Sequence, residues 1–127
     1  MIAGDWTPHR RDDGEQVGWI RPEGDLWVAI DVLGREVGSP QEWLEAEAAL
    51  EERGLAWLGD VWVLEREGSP GLRVRIVEVS PDGVVVKTDD FGAIDAPVDV
   101  FRLGFPAPPS LRLLRPGEDT GASSFTR

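Results

Sequence analysis

Hydrophobic and polar positions change period several times along this chain, and the changes divide it into one helix and a series of strands. Over 26–32, Leu26, Val28, Ile30 and Val32 alternate with Trp27, Ala29 and Asp31, the two-residue period of a strand with one face buried. The preceding "QVGWI" is joined to it by the turn sequence "RPEG" at 21–24, which predicts a hairpin. The stretch "SPQEWLEAEAALEERGL" then switches to helical spacing. Trp43, Ala46, Ala49 and Leu50 fall on one side and Glu45, Glu51 and Glu52 elsewhere, so one narrow face is set to lie on a sheet. Ser39 is placed to cap, Pro40 suits a first helical position, Glu42 completes a capping box and Gly54 stops the run, which predicts a helix over about 40–53.

After the helix, "DVWVLERE", "GLRVRIVEV" and "GVVVKT" are separated by "GSPG" and "SPDG", the pattern of a three-stranded antiparallel meander. Leu72, Val74 and Ile76 share one face of the middle strand while Val77 and Val79 fall on the other, and that mid-strand change of face predicts a bulge. "VDVFRL" at 98–103 predicts a sixth strand. "GFPAPP" beyond it is excluded from a ladder because proline has no N–H to donate, and "SLRLL" packs back on the body. The predicted architecture is α+β and mostly antiparallel: a curled sheet or small open barrel of five to six strands, with the helix inserted between the second and third. Residues 13–115 form a single compact domain, 1–12 a mobile arm and 116–127 a disordered tail.

Composition adds exclusions to this picture. Apolar residues make up 41% of the 127, a globular share. The formal charge is −11, from 24 acidic and 13 basic side chains. That excess repels phosphate backbones and anionic lipid, so neither nucleic acid nor a membrane is an expected partner. No apolar run reaches the roughly eighteen residues of a spanning helix, so the default location is the cytoplasm. Cysteine is absent, which removes thiolate chemistry and disulfides. Asn and Tyr are absent too and Lys87 is the single lysine, a bias against AT-rich codons that points to a high-GC bacterium and makes part of the acidity a habit of the genome.

Candidate chemistry is sparse. "VKTDDFG" at 86–92 resembles the strand and Asp-Phe-Gly that hold metal in protein kinases, but a kinase also needs a Gly-rich loop and a catalytic loop with an Asn, and the chain has no Asn. Asp89, Asp90, Asp95 and Asp99 could converge on Ca²⁺ or Mg²⁺, although the spacing is not that of an EF-hand, and a solvated acidic loop is the simpler account. His9 sits among charges in the predicted arm, where nothing holds it as a general base. Arg73 and Arg75 share a strand face and are expected to pair with Glu65 or Glu67, or alternatively to clamp an anion.

The unusual feature is six tryptophans. Trp43, Trp57 and Trp62 lie in apolar settings and read as core. Trp27 points away from the Leu26, Val28, Ile30 face, beside Asp31, and is either an exposed interface residue or part of a second core. The expected function is therefore a non-catalytic protein–protein interaction module, with Trp27, Asp31 and Trp19 as candidate binding residues, no cofactor, and another protein as partner. The alternative is an acidic-loop protein that binds a metal or small ligand over residues 89–99. No nucleophile or phosphate loop supports an enzyme.

Overall fold

The computed structural model describes residues 4–89 and 98–117, apart from the side chain of Ser69. Its strands form two antiparallel sheets. The first has the order β1 (Thr7–Arg10), β2 (Gln16–Glu23), β3 (Leu26–Ile30), β4 (Glu36–Gln41). The second comprises β5 (Trp62–Arg66), β6 (Ser69–Ser80), β7 (Gly83–Thr88), β8 (Val100–Leu103) and β9 (Leu111–Leu113), in the order β8, β7, β6, β5, β9. The single helix of more than one turn among the described residues, α1 (Trp43–Arg53), follows β4, and a 3₁₀ turn over Ala56–Gly59 leads into β5. None of the described helices is long and apolar enough to cross a membrane.

This corrects the expectation of one curled sheet or open barrel of five to six strands. Among the described residues there are two sheets and no closed barrel, and α1 comes after the fourth strand, not between the second and third. The physical reason lies in the edges. Residues 7–10 were expected in an arm and Pro40 at the helix start, yet β1 and β4 are the outer strands of their sheet, where Pro8 and Pro40, without an N–H, break no ladder bond on the outward side. β9 was missed because three residues carry too little pattern. The helix start moves for the same reason: Ser39 and Pro40 belong to β4, and the N-cap is Glu42, whose N–H is accepted by the Glu45 carboxylate at 3.3 Å, one half of a capping box three residues later than the sequence suggests.

Both faces of the first sheet are covered. On one, Val17, Ile20 and Ala29 pack with Ala46 and Leu50 of α1, flanked by Trp27, Trp43, Val37 and Leu55. On the other, Trp19, Val28 and Ile30 pack with Trp6 and Phe105, the three rings meeting at centroid distances of 5.6–6.3 Å. The second sheet curls one face around its own core of Trp62, Leu64, Val74, Val84, Val86 and Leu111. The bulge predicted in its long strand is present. The register between β6 and β7 shifts between Ile76 and Glu78, so Val77 is the extra residue and is left 51% exposed. Val79 thereby returns to the side of Ile76 and packs on the same core.

The sheets are locked by the hairpin tip between β3 and β4. Leu33 inserts into the core of the second sheet and its carbonyl accepts the N–H of Ala107 at 2.8 Å. Gly34, at φ +86°, lets the turn lie against Phe105 and Pro106, which a Cβ would meet at 2.8–2.9 Å. Arg35 donates to the carbonyls of Pro108 at 2.6 Å and Leu111 at 2.5 Å. Its guanidinium is held below its ordinary pKa by burial, with the Asp31 charge opposing that shift.

Candidate functional site

The structure places the sequence-predicted residues apart from one another. Trp19 and Trp27 lie on opposite faces of the first sheet. Trp19 is 5% exposed and lines one wall of a cleft of about 300 Å³ with Gln16, Val32, Val79, Ser80 and Pro81. Trp27 is half-buried, edge to face on Trp43 at 4.9 Å, so the second-core alternative describes its surroundings. Trp27→Ala is expected to lower stability by about 2–3 kcal/mol, less than a fully buried tryptophan, with an unchanged m-value in urea denaturation. Asp31 is 2% exposed and faces inward, accepting the N–H groups of Leu33 and Arg35.

Of the four aspartates considered for metal, Asp90 and Asp95 lie outside the described residues. Asp89 stands opposite Arg73 across the ladder, its carboxylate 3.9 Å from Arg73 and 3.6 Å from Arg75. Thr88 and Asp99 exchange backbone and hydroxyl hydrogen bonds at 3.0 and 3.1 Å. Among the described residues no group of three or more His, Asp or Glu side chains is set to hold a metal ion. The expected Arg73 and Arg75 partners are corrected as well: Glu65 is taken by Arg112 at 2.7 Å, and Arg75 also donates to the carbonyl of Gly59 at 2.6 Å. His9, expected on a mobile arm, is held in β1, with Nε2 2.7 Å from Glu51 and Nδ1 3.5 Å from Glu47 of α1.

A different surface is the stronger candidate. Sheet edges expose backbone groups that invite another strand, and proteins blunt them with proline, bulges, charge or brevity. β1 contains Pro8 and is tied to α1 through His9. β4 contains Pro40 and an irregularity, since Trp27 pairs with Gln41 but Ala29 with Val37. β9 is three residues long. β8 is short as well, at four residues, and carries Arg102, but among the described residues it has no proline, no bulge and no covering strand on its outer side. It pairs with β7 without a break, Val84 with Leu103 through Lys87 with Val100, and the Thr88–Asp99 bonds extend the ladder one step further.

The residue pattern explains how β8 forms. Phe101 and Leu103 pack on the core of the second sheet, so the alternate residues Val100 and Arg102 point to the opposite, outer face. Val100 is 60% exposed, and Val98 just before the strand is 54% exposed. Across β7, Lys87 stands opposite Val100 and Val85 opposite Arg102, which puts an exposed lysine and an exposed arginine diagonally next to one another around the two valines. The sequence does mark this strand as "VDVFRL", but which edge of which sheet it occupies depends on the pairing order. No family model, curated protein or solved structure matches this chain.

Proposed function

We propose that this chain is a non-catalytic protein-binding module that takes an extended segment of a partner as an added strand along the outer edge of β8. The observation that carries this reading is the outer edge of β8, which no strand covers among the described residues: a ladder without a bulge, with Val98 just before it and Val100 within it at 54% and 60% exposure, where the other three described edges carry proline or are shorter still. Main-chain pairing would supply affinity, and the two valines would give the added strand apolar side chains to pack against. The expected tryptophan site moves to this edge, because Trp19 and Trp27 support the fold from within.

The test is selection of binders to the full chain from a random peptide library, followed by amide chemical-shift mapping. Selected peptides should shift Val98 through Leu103. The Val98→Ser/Val100→Ser variant should keep its fold, since both side chains are largely solvated, and should bind the same peptides about tenfold more weakly through lost apolar contact. Peptides that map to another surface, or binding indifferent to the double substitution, would overturn the assignment.

A further inference from the structure

The chemistry of the added strand can be read from the charges left over around β8. Basic side chains are scarce in this chain and nearly all are engaged. Arg11, Arg21, Arg53, Arg73, Arg75 and Arg112 each face a carboxylate. Arg10, Arg35 and Arg66 donate to backbone carbonyls, and Arg115 is also engaged. Of the described basic side chains only those of Lys87 and Arg102 have no hydrogen-bond or ion-pair partner, and both are exposed. Glu78 and Asp82 line a small recess with Arg102, yet neither carboxylate reaches ion-pair distance.

In a protein of net charge −11, two uncompensated cations would be expected to attract carboxylates of their own chain. Their place is specific. They occupy diagonal positions on one face of β7 and β8, beside the exposed valines and next to the open edge. We infer that the segment added at β8 is acidic and apolar in alternation, with a carboxylate opposite Arg102 and within reach of Lys87, and an apolar side chain opposite Val100. This rests on the strand-addition reading above. In antiparallel pairing the partner would read acidic, any residue, apolar from N to C; in parallel pairing the order reverses. A second copy pairing through its own β8, Val-Phe-Arg-Leu, would bring no carboxylate within that strand to Arg102 and Lys87. Charges interact over roughly 8–10 Å at physiological salt, so Lys87 and Arg102 act on whatever side chain is set directly against this face.

The experiment titrates the full chain with three labelled probe peptides, alternating Glu–Val, Ser–Val and Lys–Val, by fluorescence anisotropy and amide shift mapping. The Glu–Val peptide is expected to shift Val98 through Leu103 and to bind about fivefold to tenfold more tightly than Ser–Val, the effect of two exposed ion pairs. The advantage should shrink as salt rises. Lys87→Glu/Arg102→Glu, two exposed surface changes, should leave the fold intact and transfer the preference to Lys–Val. Equal binding of Glu–Val and Ser–Val, with β8 shifted by both, would overturn the acidic assignment and leave the edge reading standing. No shift at β8 with any of the three would remove the edge reading itself. An oligothymidylate probe that shifts Lys87 and Arg102 where Glu–Val does not would reassign the face to nucleic acid.

Discussion

Gly18→Ala is expected to leave the protein largely unfolded, at a cost of at least about 4 kcal/mol, beyond the usual range for a single substitution. Gly18 is buried in β2 at φ +150°, and a Cβ there would stand 2.0 Å from the carbonyl oxygen of Ile30 and 3.1 Å from Leu50 of α1. The first of these atoms is backbone in the neighbouring strand, so no rotamer change relieves the contact. The position exists because β2 carries an extra residue there: His9 pairs with Gly18 but Arg10 with Gln16. That bulge turns Val17 toward α1 together with Ile20, which the strict two-residue period would not allow. Thermal unfolding should show a fall in Tm of roughly 15 °C or more. A variant that melts near the wild-type temperature would show that β2 and β3 can separate at this point, and that the bulge is not fixed by the close approach.

Most strands were legible in the sequence because their side chains alternate, and the bulge at Val77 was legible because the alternation slips there. What was not legible depends on edges and on what lies across each face. "EVGSPQ" has the composition of a loop and becomes a strand because β3 offers it one side only. "TPHR" becomes β1 because His9 meets Glu47 and Glu51, residues some forty positions later that no local pattern links to it. Trp27 was correctly set on the face opposite Val28 and Ile30, yet period alone cannot say that α1 lies on that side. The candidate site was half legible. "VDVFRL" was marked as a strand, but its place at the outer edge of the second sheet was not, because that depends on the pairing order. The isolation of Lys87 and Arg102 could be seen only once every other described basic side chain had been matched to its partner.

The largest effect expected from a polar side chain is at Asp31, where Asp31→Ala should cost about 2–4 kcal/mol. One oxygen accepts the N–H groups of Leu33 at 2.9 Å and Arg35 at 3.1 Å, and the other lies 3.4 Å from Arg53 at the end of α1. Alanine leaves buried donors without an acceptor at the turn that joins the two sheets. Arg53 is partly exposed and can return to water, so the backbone donors set the cost. Asp31→Asn keeps an oxygen for those two donors and should cost only about 1 kcal/mol. The pair of variants also reads the charge. Burial raises the Asp31 carboxyl above its ordinary 3.8, against the opposing pull of the Arg35 N–H, the Arg53 charge and the Leu33 N–H. The folded chain therefore keeps this proton at a pH where the unfolded chain has released it. The contribution of Asp31 is then fullest below 3.8 and declines as pH rises through the higher folded value. Every other carboxyl is common to wild type and Asp31→Asn, so the difference between their unfolding free energies isolates this group. That difference should fall as pH rises from below 3.8 toward neutrality. A difference that grows instead would mean that Arg53 and the two N–H groups favour the carboxylate more than burial opposes it.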